Sequence, residues 1–152
     1  MERSVLWVDV NCRNLSSLYA KVFSDGHYDI YVASSATEAI LELSKKKFDA
    51  IIVEPFYLRH GGDPIWDEAW SDEPTQHEFG FEFLRAILYP NLAKTKLQSI
   101  PDLSETRIGI LTIHARSHIA DMMNELGIEF FKDKKVNNNR VLLDFIEEIF
   151  AS

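Results

Sequence analysis

Short runs of consecutive apolar residues recur along the chain, each followed by a stretch whose apolar positions fall three and four apart. Val5-Leu6-Trp7-Val8 and Ala50-Ile51-Ile52-Val53 are uninterrupted, and Ile108-Gly109-Ile110-Leu111 is broken only by a glycine. Runs of this length read as strands covered on both faces, the pattern of a parallel sheet. Strands are predicted at residues 4–9, 29–33, 50–54, 107–112 and 128–131. Helices are predicted between them. Leu15, Leu18, Tyr19 and Val22 share a face over 14–23, and Phe79, Phe83, Leu84 and Ile87 share one over 79–88. Val141, Leu142, Phe145, Ile146 and Ile149 do so over 139–150. Ser35-Ala36-Thr37-Glu38 reads as a capping box in which Ser35 caps and Glu38 reaches back. It opens a helix that turns Ala39, Ile40 and Leu43 inward and ends at Lys45-Lys46-Lys47, a sign suited to a helix C-terminus. A further helix over 117–126 stops at Gly127, a good terminating residue. Alternating strands and helices joined by right-handed crossovers predict a doubly wound α/β domain, an open five-stranded parallel sheet with helices on both faces.

The rhythm breaks twice. Residues 55–78 hold Gly61-Gly62, Pro64, Pro74, the acids Asp63, Asp67, Glu68, Asp72, Glu73 and Glu78, and Trp66 and Trp70. Loops this long are usually functional or disordered. The second irregular stretch is 89–105. The expected organisation is one domain over 1–152, with an acidic insertion at 55–78. Trp66 and Trp70 have two readings of equal weight: they tuck against the domain, or they anchor a partner.

Composition narrows the function. The apolar share is 46%, the charged share 26% and the net charge −8, an ordinary globule with too little basic surface for non-specific nucleic-acid binding. No apolar run approaches the ~20 residues that span a bilayer. Met1-Glu2-Arg3 leads straight into the first strand, so neither a signal peptide nor membrane insertion is expected. Cys12 is the only cysteine, which excludes an internal disulfide and favours a reducing cytoplasm. Without a neighbouring His or relay it is a poor nucleophile.

Polar residues stand at three strand ends. Asp9 follows the first run, Glu54 the third and Thr112 the fourth. In open parallel sheets the ligand crevice lies beyond these ends. Taken singly each has a bland reading: a strand-end acid with a structural partner, or a β-branched strand residue. Two acids side by side are expected to raise the pKa of one by like-charge repulsion.

Taken in order, the strand ends resemble the receiver domain of two-component response regulators. Leu6-Trp7-Val8-Asp9-Val10-Asn11 is similar to that family's acidic-pair motif. Phe48-Asp49-Ala50-Ile51-Ile52-Val53-Glu54-Pro55 is similar to its phosphoacceptor strand, and Phe79-Gly80-Phe81-Glu82-Phe83-Leu84 to the glycine-led start of its third helix. Ile110-Leu111-Thr112 resembles the threonine motif. Gly127-Ile128-Glu129-Phe130-Phe131-Lys132-Asp133-Lys134 resembles the terminal strand. The resemblance implies a flavodoxin-like strand order 2-1-3-4-5. It also implies a phospho-site formed by Asp9, Glu54, Thr112 and Lys134, with Lys132 the alternative lysine, and Phe131 as the aromatic of the switch.

The departures carry the functional expectation. Glu54 stands where the family has Asp, Val10 where it has a second acid, and Lys135 where it usually has proline. Mg²⁺ requires several oxygens in near-octahedral geometry, and the Val10 side chain supplies none. The implied protein is a degenerate receiver without an output domain, acting through contact with another signalling protein. It is not phosphorylated on a conventional Asp, has no catalytic residue, and needs no metal or cofactor. The other reading is a small ligand-binding protein or enzyme using the crevice at Asp9 and Glu54. A deep apolar pocket there favours that reading; a filled, shallow, acidic site favours the first. His114 and His118 lie four apart, as two metal ligands on one helix face would, but no third ligand accompanies them; His60, His77 and the loop acids show no ordered ligand spacing.

Overall fold

The structure, a computed structural model, describes residues 2–62, 66, 78–91, 93, 97, 102–134 and 138–152. Five parallel strands form one sheet: β1 (Arg3–Val8), β2 (Tyr28–Ala33), β3 (Ala50–Val53), β4 (Arg107–Thr112) and β5 (Phe130–Asp133). Their order is β2-β1-β3-β4-β5. The helices are α1 (Ser16–Ser24), α2 (Ala36–Lys45), α3 (Phe79–Leu88), α4 (Ala120–Leu126) and α5 (Val141–Ala151), with a 3-10 turn at Arg116–His118 ahead of α4. This is the doubly wound, flavodoxin-like sheet that the sequence pattern and the resemblance together predict.

Alternation along the strands feeds two cores. Leu6, Val8, Ile51, Val53 and Ile110 pack with α2, α3 and α4 on one face. Val5, Trp7, Ala50, Ile52 and Leu111 pack with α1 and α5 on the other. Gly109 lets α5 approach closely, since a Cβ there would lie 2.8 Å from the Phe145 ring. The register aligns Val8 with Val53, Val53 with Ile110 and Ile110 with Phe131. The residues that follow in each strand therefore emerge along one edge of the sheet.

Several boundaries differ from the sequence reading by one to three residues, and three of them have a visible cause. β5 starts two residues late because Gly127, at φ +68°, closes α4 in a left-handed cap. The N–H of Ile128 donates to the Met123 carbonyl, so that residue serves the cap and cannot yet pair in the sheet. The α4 segment starts as the 3-10 turn, and α1 is preceded by turns in which Asn14 and Leu15 donate to the Asn11 carbonyl. The capping box is shifted as well. Ser35 accepts the Glu38 N–H at 3.1 Å, but the Glu38 carboxylate reaches the N–H and hydroxyl of Ser34 rather than Ser35. The Ser35-side N–H groups are already engaged: Ala36 and Thr37 donate to the carbonyls of Arg59 and His60. The chain leaving β3 thus straps across the sheet edge onto the start of α2.

Trp66 is 1% exposed and meets the Phe79 ring edge-on at 5.2 Å. Such aromatic pairs contribute about 0.5–1.5 kcal/mol beyond area burial. Of its two readings the structure takes the intramolecular one, and Trp66 offers no surface to a partner. Trp70, His77 and Lys135 lie outside the described residues, as does most of the acidic insertion. Among the described residues no helix is long and apolar enough to cross a membrane.

Candidate functional site

The site is assembled where β1, β3, β4 and β5 end. The Asp9 N–H donates to the Ala33 carbonyl and the Glu54 N–H to the Val8 carbonyl, each at about one more rung of the sheet, which fixes where both acids point from. Asp9 is fully buried: its Oδ1 accepts the Asn11 N–H at 2.8 Å and its Oδ2 accepts Lys134 Nζ at 2.6 Å. Glu54 is buried beside it, with Oε1 accepting the Phe56 N–H at 3.1 Å and Oε2 lying 3.4 Å from the same Lys134 Nζ. The Thr112 hydroxyl favours the ionised form of the Glu54 carboxyl and accepts the His114 N–H at 3.2 Å. The Lys134 N–H donates to the Thr112 carbonyl at 2.7 Å, which anchors the lysine's own backbone to β4.

All four residues singled out for the phospho-site therefore meet. Lys134 is the lysine of the site; Lys132 instead pairs with Glu148 on the outer face of α5. Phe131 is half-buried on β5 and packs towards the α2–α3–α4 core. Gly80 explains the glycine at the head of α3: a Cβ there would lie 2.2 Å from the Pro55 carbonyl oxygen. The Gly80 N–H donates to that same carbonyl, so α3 docks directly on the residue after Glu54.

Burial holds the Glu54 carboxyl above its ordinary value. Lys134, Thr112 and the Phe56 N–H oppose that shift, and the charge of Asp9 adds the smallest contribution to it. The expected like-charge effect is present but subordinate to desolvation, because the ammonium lies between the two acids. Burial likewise pushes the Cys12 thiol up, away from nucleophilic reactivity.

The residues do not fit the Mg²⁺ that a receiver fold implies. Each of the four carboxylate oxygens of Asp9 and Glu54 already faces an N–H or the ammonium. The Val10 side chain offers no oxygen, and the ammonium occupies the place between the carboxylates. Among the described residues no three His, Cys, Asp or Glu side chains group to hold a metal. His114 stacks on Phe56 at 3.9 Å, and His118 lies exposed on the 3-10 turn.

Above this ionic floor opens a cleft of about 650 Å³. Val10, Leu15, Leu18, Phe56 and Ile113 form its walls, and Asn11, Asn14, Asn138 and Asn139 stand at its rim. The observation set to separate the two functional readings is thus split: the floor is filled and ionic, the space over it is open and largely apolar. Sequence reasoning placed a crevice at these strand ends but missed its asparagine lining. Its asparagines were visible as a run at 137–139 and a pair at 11 and 14, but nothing in the sequence joins these segments. Tyr57, in the left-handed region at φ +61°, gave no signal at all.

Strand order, sheet edge and the residues gathered there define an α/β domain with the fold of response-regulator receivers. No protein-family model matches the sequence, and no curated protein matches it. Solved structures do. The chemotaxis response regulator CheY4 of Vibrio cholerae is 19% identical with a TM-score of 0.64, over 98% of this chain and 99% of that one. A response regulator from Thermotoga maritima is 15% identical with a TM-score of 0.64, over 100% of both chains. A response regulator protein from Burkholderia pseudomallei, solved with a phosphorylated aspartic acid and a calcium ion, is 18% identical with a TM-score of 0.61, over 97% of this chain and 66% of that one.

Proposed function

We propose that this chain is a signalling module of receiver fold whose phospho-site is replaced by a permanent ion triad, Asp9–Lys134–Glu54, and which signals by protein contact rather than by aspartyl phosphorylation. The observation that carries this reading is the single Lys134 ammonium held at 2.6 Å from Asp9 and 3.4 Å from Glu54. The Burkholderia relative carries a phosphorylated aspartate and a cation; here Glu54 and Val10 replace the acceptor and a metal ligand. A fixed charge does not toggle, so control passes to partner binding or abundance. The site performs no covalent chemistry in this reading. The docking face is the outward side of α4, β5 and α5, coupled to the triad through Thr112 and Phe131, and Glu54→Gln is expected to weaken binding of a verified signalling partner there.

Intact mass after incubation with acetyl phosphate and Mg²⁺ tests the proposal. The wild type is expected to stay unmodified, with no saturable Mg²⁺ quenching of Trp7 fluorescence at sub-millimolar concentrations. Val10→Asp combined with Glu54→Asp is expected to gain both. A stoichiometric acid-labile adduct on Glu54 in the wild type sinks the reading.

A further inference from the structure

The cleft above the triad has no role in the reading just given. Its volume of about 650 Å³ falls within the range of small-molecule sites, roughly 300–1,000 Å³, and exceeds what one inserted side chain needs. Its chemistry is specific. The floor charges satisfy one another, since Lys134 is bound by both Asp9 and Glu54 and leaves no free cation at the floor among the described residues. With both acids ionised the floor is net negative, which opposes an anionic ligand further. The valine that removes a metal ligand gives the cleft an apolar wall. Asn11, Asn14 and Asn139 line it with amides whose side chains form no hydrogen bond to the described residues. Each amide presents both a donor and an acceptor.

The rim adds a second line of argument. Tyr57 is 63% exposed and Ile113 is 66% exposed, and both line the cleft. Tyr57 is the only non-glycine residue with positive φ among those described. A bulky residue in that region costs on the order of 1–3 kcal/mol and persists where the surroundings impose it. Here that backbone carries an exposed aromatic residue that lines the same cleft as Ile113. Both side chains would gain burial against an apolar body inserted between them.

We infer that the strand-end cleft binds an uncharged organic molecule with an apolar, ring-bearing body and an amide-like hydrogen-bonding head, held between Tyr57 and Ile113 and oriented by Asn11, Asn14 and Asn139. The ligand lies above the ion triad, which itself fills the space between the two carboxylates. Lying directly over Glu54 and against His114, whose N–H binds Thr112, it acts on the same groups as the proposed signalling site. The inference rests on the reading that no phosphoryl group enters that site.

Matched pairs of two-ring probes test it on the full chain: naphthalene-2-carboxamide, quinoline-2-carboxamide and indole-3-acetamide, each beside its carboxylate. Backbone amide NMR is expected to show saturable shifts with at least one carboxamide, concentrated at residues 10–18, 54–57, 113–114 and 138–139. The matching carboxylate is expected to bind at least about tenfold more weakly. Ser17→Trp, filling the cleft from an exposed position, should abolish the shifts; Asn139→Trp serves if that variant does not fold. Saturation with equal affinity for acid and amide, shifts centred elsewhere, or no saturable shift from any carboxamide overturns the inference. Failure of the underlying reading is separately visible, because phosphorylation of the unliganded chain by acetyl phosphate would be read by mass.

Discussion

Lys132 and Lys134 stand two residues apart on the same stretch of chain, and each holds a carboxylate, yet they belong to different electrostatic worlds. On the outer face, Lys132 meets Glu148 at 2.5 Å with side chains 25% and 55% exposed. At the sheet edge, Lys134 meets Asp9 at 2.6 Å with side chains 9% and 0% exposed, and Glu54 lies within reach as well. The distances are nearly equal and the burial is not. Water screens the first pair and competes for both partners, so such pairs contribute about 0–1 kcal/mol. The second trio has left water, so each charge depends on the others to offset its desolvation. Distance alone therefore says little about which lysine the fold requires.

The comparison is broken most forcefully at Lys134. Lys134→Met leaves Asp9 and Glu54 buried together without a cation. Removing one partner of a buried ionic set costs about 3–5 kcal/mol, and urea denaturation at neutral pH is expected to show a loss of that order. The loss should shrink on acidification, as protonation of one carboxyl relieves the repulsion. A loss below about 1 kcal/mol, the surface range, would show that water reaches the triad and that the site is not closed.

Glu54 sharpens the comparison through pH. Its carboxyl binds a proton more readily in the folded chain than in the unfolded one, because burial raises it. Below the ordinary carboxylate value both states are protonated and Glu54 is neutral to stability. As pH rises through the window between the ordinary and the raised value, the unfolded state ionises first and stability is lost. Above the raised value the loss is complete. Glu54→Gln holds the neutral form throughout and leaves Lys134 paired to Asp9. The variant is expected to unfold at a higher temperature than wild type near pH 8, with the gap closing towards pH 4. A gap of the opposite sign, widening with pH, would mean that Lys134 and Thr112 outweigh burial at Glu54.

How much of this was legible in the sequence varies with the range of the cause. The β4 and α3 boundaries agree with the pattern to the residue because apolar runs and helical spacing are local. The start of β5 was misplaced because Ile128 looks like a strand residue and is spent on the cap behind Gly127. Glu38 reaches the Ser34 N–H rather than that of the cap, and Ala36 and Thr37 donate to Arg59 and His60, chain more than twenty residues away that no local pattern announces. The triad was found only through motif order. Asp9 and Lys134 are 125 residues apart, and no pattern within either segment announces the other. The lining of the cleft was invisible for the same reason, since its asparagines come from segments that no motif joins.

The smallest expected effect is also the control for the largest. Lys132→Met removes the ammonium from Glu148, which sits more than half exposed on α5 and is resolvated at once. The methionine keeps the apolar stem that a lysine lays along the surface, so packing on β5 changes little. The expected change in unfolding free energy is about 0–1 kcal/mol at low ionic strength and less at high salt, where exposed pairs are screened. Urea denaturation at both ionic strengths reads it. The same pair of salt conditions should leave the Lys134→Met loss nearly unchanged, since counterions do not enter a buried site. If Lys132→Met matched Lys134→Met in size, burial would not be what separates the two lysines, and the triad would be no more closed to water than the surface pair.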